Sequence, residues 1–470
     1  MTEPPVHLTA PRARASEPHG EDGLPIPRRY WAIAAIVLAI SMSVLDSSIA
    51  NVALPTIGRE LATPAATSIW VINAYQIAIL VSLLPLAALG ERVGYRRVSL
   101  GGLAVFTLAS LSCAFAPSMP ALVAARIVQG LGAAGIMSVN AALVRFTYPQ
   151  AMLGRAIGIN ALAVATSAAI GPTVASGVLA VAEWRWLFAI NVPIGIVTFL
   201  VASRALPVTP RSPRRLDRAS AALHAGTFGL LACGLQGLAH DSGTALAVAE
   251  IVAGATLGVL LVRHELDQEV PLLPFDLLRV RLFSLSVATS VCSFTGQMAA
   301  LVALPFEIER LGHSAVATGL LMTPWPVAVG IAAPIAGRLA DRFPAGLLGG
   351  AGLATMAVGL FLLAAFPAGG SAAALIWRMA LCGIGFGLFQ SPNNRTLLLA
   401  APRARSGAAG GMLSTARLLG QTAGAAGVAI LFRVSANHAA DVALYAAAAV
   451  ALAAALVSTS RLAVSPLAAG

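Results

Sequence analysis

The sequence predicts an all-α membrane protein of about fourteen transmembrane helices, and two observations lead to this prediction. First, 58% of the 470 residues are hydrophobic and only 10% are charged, whereas about a quarter of the residues in soluble proteins carry charge. Second, windows of about 20 residues, the length that crosses the hydrocarbon core, give about fourteen apolar runs separated by short polar breaks. Little of the chain remains for a soluble domain.

The basic residues orient these helices in the membrane. The net charge is +11, and all 30 basic residues are arginine. If the N-terminus lies in the cytoplasm, most arginines fall in cytoplasmic segments, as the positive-inside rule requires. Four fall outside, and three fall within spans: Arg126, Arg378 and Arg417. We therefore expect both termini in the cytoplasm, and we expect the charge to set topology and not to bind nucleic acid.

The order of the apolar runs predicts an arrangement of six plus two plus six helices. Residues 1–29 contain no apolar h-region, so we expect a disordered cytoplasmic tail and not a signal peptide. The predicted units are that tail, an N-terminal six-helix half (30–205), a basic loop with two inserted helices and a cytoplasmic linker (206–281), a C-terminal six-helix half (282–462) and a cytoplasmic C-terminal tail (463–470).

A short motif repeats in corresponding loops of the two halves. The chain reads Ala-Leu-Gly-Glu-Arg-Val-Gly at 88–94 and Gly-Arg-Leu-Ala-Asp-Arg at 337–342. The second copy resembles the G-x-L-A-D-R-x-G-R-[RK] signature of the major facilitator superfamily, and the first copy departs from it at three positions. The resemblance implies the major facilitator fold and a loop motif that controls conformational change, carried by Gly90, Glu91, Arg92, Gly94, Arg96, Gly337, Asp341 and Arg342.

Further stretches resemble the fourteen-helix drug:proton antiporters of that superfamily. Residues 45–55 are similar to their first-helix signature, 126–132 to their fourth-helix motif, and 184–195 to the entrance of their sixth helix. Gly171 and Pro172 lie where their antiporter motif stands, although Ala175 and Ser176 replace its usual glycine pair. The resemblance implies multidrug efflux of amphipathic, often cationic compounds across the bacterial inner membrane, driven by protons and associated with antibiotic resistance.

Asp46 is the first candidate for proton coupling, because a carboxylate within a span is costly and usually faces the bundle interior. The helical rise places Asp46 about 22 Å from the cytoplasmic end of the first helix, and Arg126 about 9 Å below the outer surface on the fourth. This similar depth predicts a coupled pair, with a purely structural ion pair as the alternative. Glu250, in the eighth run, is a further candidate.

Polar and aromatic residues in the central runs either line a substrate cavity or bond neighbouring helices. The candidates for the cavity are Asn51, Tyr75, Gln76, Asn140, Gln297 and Trp325.

The sequence contains no P-loop, no cluster of metal ligands and no nucleophile motif. We therefore expect a transporter and not an enzyme, with no cofactor and with the proton-motive force as its energy source. We expect the protein to be a monomer. Its expected partners are a small-molecule substrate, protons and the lipid bilayer. Two alternatives remain open: a dedicated exporter of one metabolite or self-made antibiotic, and a non-transporting membrane sensor or scaffold.

Overall fold

The computed structural model describes residues 23–149, 152–209, 217–237, 244–266, 268, 275–340, 342–365, 371–400, 406–434 and 438–463. Within these ranges every regular element is a helix. The predicted tails, apart from residues 23–29 and 463, and the motif residue Asp341 lie outside the described residues.

The helices follow one another with short connections. The first group comprises α1 (Arg28–Glu60), α2 (Ala65–Ser68), α3 (Trp70–Val93), α4 (Tyr95–Ala114), α5 (Met119–Thr147), α6 (Leu153–Val181), α7 (Trp186–Ala189) and α8 (Asn191–Ala205). The inserted pair is α9 (Arg218–Gly237) and α10 (Thr244–Leu266). The last group comprises α11 (Phe275–Leu278), α12 (Arg281–Arg310), α13 (Ala315–Met322), α14 (Pro324–Leu339), α15 (Ala345–Ala364), α16 (Ala372–Leu399), α17 (Ser406–Val434) and α18 (Ala439–Ser460).

Eleven spans in the described part of the chain are long and apolar enough to cross a membrane. With α6, α9 and α17 they make fourteen helical passes, which confirms the predicted fold class. Two passes that the sequence predicts as continuous are divided, at Ile190 and at Thr323. Prolines explain both divisions, because Pro193 and Pro324 have no N–H to donate to the carbonyl one turn earlier.

The long helices pack as two groups of six, and the inserted pair lies beside them. In the first group α5 lies between α3 and α4, and α1 packs on α6 and α8. In the second group α16 lies between α14 and α15, while α12 packs on α17 and α18. The inserted helices α9 and α10 pack on each other, and α9 also contacts α3 and α17. This is the two-halves-plus-two arrangement of the prediction.

The two halves meet closely at the end of the bundle that carries the α1–α2 and α12–α13 loops, which we call the distal end. One apolar core crosses between the halves there and includes Ile57 of α1 and Ile308 of α12. Arg59 Nη1 donates to Glu309 Oε2 at 2.7 Å across the same interface. In the described residues near the opposite end, the apolar cluster around Ala32 and Val144 contains first-half residues only. The structure is therefore closed at the distal end.

Candidate functional site

The centre of the site is an ion pair between Asp46 of α1 and Arg126 of α5. Arg126 Nη1 donates to Asp46 Oδ2, and both side chains are fully buried. The structure thus brings together the two residues that the sequence placed at similar depth. The pair lies in the part of α1 that leads to the closed distal end.

Two amides complete the surroundings of the Asp46 carboxylate. Gln129 Nε2 and Asn191 Nδ2 each donate to Asp46 Oδ1 at 2.8 Å. Gln129 Nε2 also donates to Ser110 Oγ at 2.8 Å, while its Oε1 accepts from Arg126 at 2.6 Å. Sequence reasoning did not name either amide as a site residue. A signal existed for Gln129, because it follows Arg126 by three positions and so shares its helix face.

Backbone and ring contacts hold the guanidinium of Arg126 in place. Its Nε donates to the Val71 carbonyl at 2.9 Å. Its Cζ lies 4.1 Å from the centroid of the Tyr75 ring and 5.5 Å from that of Phe188, within the range of a cation–π interaction. The Tyr75 hydroxyl donates to the Ser43 carbonyl at 3.1 Å. Tyr75 therefore helps to hold the guanidinium of Arg126 in place, and its role in a substrate cavity stays a prediction.

This arrangement can link a proton to the packing of three helices. Arg126, Gln129 and Asn191 all donate to the carboxylate, and such donors stabilise its negative charge. Protonation of Asp46 would weaken these bonds and leave a buried guanidinium without its counter-ion, which is strongly unfavourable. The Asp46 carboxylate therefore joins α1 to α5 and α8 through these three donors.

Gly171 and Pro172 bring α6 against helices of both halves. A Cβ added to Gly171 would lie 2.3 Å from Ser48 Oγ of α1. A Cβ added to Gly319 of α13 would lie 2.5 Å from the Pro172 carbonyl oxygen and 2.0 Å from Ser176 Oγ. Where the antiporter motif normally has a glycine pair, α6 has Ala175 and Ser176. The close approach of the two helices at Ser176 is made possible by Gly319 on the facing helix α13.

The first copy of the loop motif ties α3 and α4 to their neighbours in the same half. A Cβ added to Gly90 would lie 2.8 Å from Val139 Cγ1 of α5. Gly94 adopts a φ of +100°, which favours glycine. Arg96 Nη2 donates to the Ser203 carbonyl of α8, whereas Glu91 and Arg92 are exposed.

The second copy is described in part. Gly337 faces α16, where a Cβ at this position would lie 3.2 Å from Ser391 Oγ. Arg342 is exposed, and Asp341 lies outside the described residues.

The remaining candidates are not gathered at the ion pair. Glu250 faces α9, with its Oε2 3.7 Å from the position of a Cβ on Gly237. Gln76 Nε2 reaches across the halves to Met298 Sδ at 3.7 Å. The others are buried in α1, α5 and α14 or partly exposed on α12: Asn51, Asn140, Trp325 and Gln297.

The comparisons with known proteins agree with this fold. Residues 36–425 match the model of the Major Facilitator Superfamily, and the chain belongs to this superfamily of membrane transporters. It is 54% identical over 444 residues to the uncharacterized transporter YebQ of Escherichia coli (strain K12), covering 94% of this chain and 97% of that one. It is 30% identical to the multidrug efflux pump LfrA of Mycolicibacterium smegmatis, covering 86% and 81%. The solved D-xylose-proton symporter has the same fold, with a TM-score of 0.67 at 16% identity and coverage of 91% and 96%.

Proposed function

We propose that this transporter exports amphipathic small molecules in exchange for protons, with Asp46 as the proton-binding group. The observation that carries the proposal is the fully buried Asp46–Arg126 pair, which two further donors enclose. A carboxylate at such depth is costly, and ionisable side chains inside a membrane usually mark substrate, ion or proton pathways. The resemblance to drug:proton antiporters and the similarity to LfrA support the same function.

The proposed cycle alternates access between the two ends of the bundle. Opening of the distal end exposes Asp46 to the outer solution, a proton enters, and the loss of charge releases Arg126. The halves then rock about the central site, as in transporters built from duplicated halves. Entry of one net positive charge supplies ~2.3 kcal/mol per 100 mV, enough for roughly a fiftyfold substrate gradient.

The proposed location is the bacterial inner membrane, with both termini and the loop motifs in the cytoplasm. The supporting observation is the excess of arginine in the segments assigned to that side. The distal end, which is closed in the structure, then faces outward. A cysteine placed at Ala62, which is exposed in the α1–α2 loop, should react with a membrane-impermeant maleimide in intact cells. Reaction in inside-out vesicles only would contradict this orientation.

The experiment that tests the function measures proton movement in proteoliposomes. Purified protein is reconstituted with pyranine inside, a pH gradient is imposed, and proton flux is followed after addition of ethidium, 1-anilinonaphthalene-8-sulfonate or N-phenyl-1-naphthylamine. We expect at least one of these three amphiphiles to start proton flux in the wild type. The Asp46→Asn protein should lose the flux, while Asp441→Asn, which removes a carboxylate at the start of α18, should retain it.

Two outcomes would overturn the proposal. Substrate-dependent proton flux that persists in Asp46→Asn removes Asp46 from coupling. If none of the three amphiphiles starts proton flux in the wild type, the proposed efflux of amphipathic compounds is wrong. That result would favour a dedicated exporter or a protein that does not transport.

A further inference from the structure

Arg417 carries a positive charge near the middle of α17, about 17 Å beyond the first residue of that helix. Its Nε is completely buried, so the side chain points into the protein and not into the surrounding lipid. Within the described part of the chain, no hydrogen bond or ion pair reaches its guanidinium, and no neighbouring charge compensates it. The guanidinium is therefore free to bind a group from outside the chain.

The two other arginines within spans each have a partner for their guanidinium. Arg126 pairs with Asp46. Arg378 donates to the Ala374 carbonyl at 2.7 Å and lies 4.6 Å from the Trp377 ring centroid. Charged side chains inside a membrane are rare, usually pair with one another or with carbonyls, and mark substrate, ion or proton pathways.

Helical geometry directs Arg417 toward α12. Gly424 follows it by seven positions, which is close to two full turns, so the two residues share a face. A Cβ added to Gly424 would lie 2.4 Å from the Thr295 carbonyl oxygen of α12. The same helix α12 reaches the other half through the contact between Met298 and Gln76. Arg417 therefore lies beside the helix that borders the interface between the halves.

Unpaired polar atoms lie at a similar depth on α3 of the first half. Gly411 approaches Leu84, with 3.6 Å between an added Cβ and Leu84 Cδ2. From this contact Arg417 lies about 9 Å and Gln76 about 12 Å farther toward the distal end. Gln76 Oε1 and both amide atoms of Asn73 are buried and have no hydrogen-bond partner among the described residues. These groups are uncharged donors and acceptors.

The carboxylates of α1 and α12, two helices that border the interface, are not free to bind a cation. Each described carboxylate of α1 and α12 is paired with an arginine: Asp46 with Arg126, Glu60 with Arg185, Glu307 with Arg310, and Glu309 with Arg59. A cationic substrate would therefore have to displace an arginine, whereas an anionic one would meet Arg417.

We propose that Arg417 binds the anionic group of the transported molecule, so that the substrates are amphipathic anions such as sulfonates and carboxylates. Gln76 and Asn73 then bond the uncharged part of the same molecule. This inference rests on the proposed function and specifies its substrate class. The planar guanidinium of Arg417 suits an anionic substrate, because the fork of N–H donors on a guanidinium matches two oxygens of one anionic group. When one monovalent anion leaves and one proton enters, the net effect equals the inward movement of two positive charges.

The test compares two probes with the same aromatic body. 1-Anilinonaphthalene-8-sulfonate carries the anionic group, and N-phenyl-1-naphthylamine lacks it. In the proteoliposome assay we expect Arg417→Gln to raise the KM for the sulfonate at least tenfold, the effect of one charge-assisted hydrogen bond, and to leave the KM for the amine unchanged. Arg417→Lys, which keeps the positive charge but not the fork of donors, should restore the sulfonate affinity only in part. Arg378→Gln, which also removes an arginine from a span, should change neither KM.

A second measurement does not depend on variants. The sulfonate should raise the Tm of the wild-type protein in detergent more than the amine does, because a ligand that binds only the folded state stabilises it. Equal stabilisation by both probes, or an unchanged sulfonate KM in Arg417→Gln, would overturn the inference. Proton flux with ethidium or the amine but not with the sulfonate would overturn it and leave proton-driven efflux standing. Absence of flux with all three would instead overturn the proposed function.

Discussion

Gly319 of α13 and Ser176 of α6 are in direct contact across the two halves, since a Cβ on Gly319 would lie 2.0 Å from Ser176 Oγ. The serine hydroxyl itself donates to the Pro172 carbonyl at 2.9 Å. That carbonyl oxygen would in turn lie 2.5 Å from the added Cβ. Backbone and side chain together leave no room for a methyl group. Closure of the distal end therefore depends on the absence of a side chain at residue 319.

We predict that Gly319→Ala keeps the distal end from closing. Transport should fall at least tenfold while the protein remains folded, because the clash exists only in the closed arrangement. A cysteine introduced at Ile57, which is fully buried, should then react faster with a membrane-impermeant maleimide after the native cysteines are replaced. Gly330→Ala is the matched control on α14, because a Cβ there would meet nothing within 4 Å. Equal labelling of Ile57→Cys in both backgrounds would contradict the prediction.

The two amides that bond Asp46 should set the pH dependence of transport. Gln129→Leu and Asn191→Leu each remove one donor and leave the charged Asp46 carboxylate with one hydrogen bond fewer. We expect the pH of half-maximal transport to shift upward by about one unit, since a hydrogen bond to a charged group contributes about 1.5 kcal/mol. The measurement is proton-coupled flux in proteoliposomes between pH 5 and 9.

A buried amide in the other half provides the control for this shift. Asn393 bonds Ser290 and Arg461, and Asn393→Leu should lower stability without moving the pH of half-maximal transport. An unchanged pH dependence in both Gln129→Leu and Asn191→Leu would mean that these amides only hold the helices together.

Gly94→Ala should destabilise the fold. Its φ of +100° lies where a Cβ costs about 1–2 kcal/mol, so the Tm in detergent should fall by a few degrees. Gly101→Ala on the neighbouring helix α4 should instead stabilise the fold by about 0.5–1 kcal/mol. Gly101 is helical, and a Cβ there would meet nothing within 4 Å. A Tm that falls equally in both variants would rule out backbone strain at Gly94 as the cause.

Asp217 should stabilise the inserted pair in a pH-dependent way. Burial raises the pKa of Asp217, but hydrogen bonds from Ser220 and from His264 outweigh this effect and hold the pKa at about 2. Because this pKa is depressed in the fold, the stabilisation is complete above pH ~4 and is lost as the pH falls toward 2. Asn is also a good N-cap, so Asp217→Asn removes mainly the charge.

We therefore expect Asp217→Asn to lower stability by about 1 kcal/mol at pH 7, after allowance for the partial exposure of the side chain. Tm values of both proteins are compared from pH 7 to pH 3. The difference should shrink below pH 4. A difference that stays constant over this range would show that the charge of Asp217 does not contribute.

The sequence was sufficient for the helical passes and for the central ion pair. Apolar length predicts each pass, and the fixed rise per residue places Asp46 and Arg126 at one depth, so their contact could be anticipated. The divisions at Ile190 and Thr323 were missed because hydrophobicity continues across them, and only the nearby prolines signal the lost hydrogen bonds.

Contacts between distant helices were beyond the reach of the sequence. Gly319 was not recognised, because its role depends on what α6 places opposite it. The contact between the Tyr75 ring and the Arg126 guanidinium was not anticipated either, because no local pattern shows which side chain packs against a buried ring. The free guanidinium of Arg417 likewise became apparent only when its neighbours were known.

The inserted helices cover the junction of the two halves on one side of the bundle only. α9 contacts both α3 and α17, so it covers the line along which these two helices join the halves. The corresponding line between α6 and the α13–α14 pass contains an exposed contact between Thr173 and Thr323 hydroxyls at 2.9 Å. Among the described residues, the junction of the halves is therefore covered by the inserted pair on the α3–α17 side and faces the lipid directly on the α6 side, so the two extra helices make the two sides of a nearly symmetric duplication different.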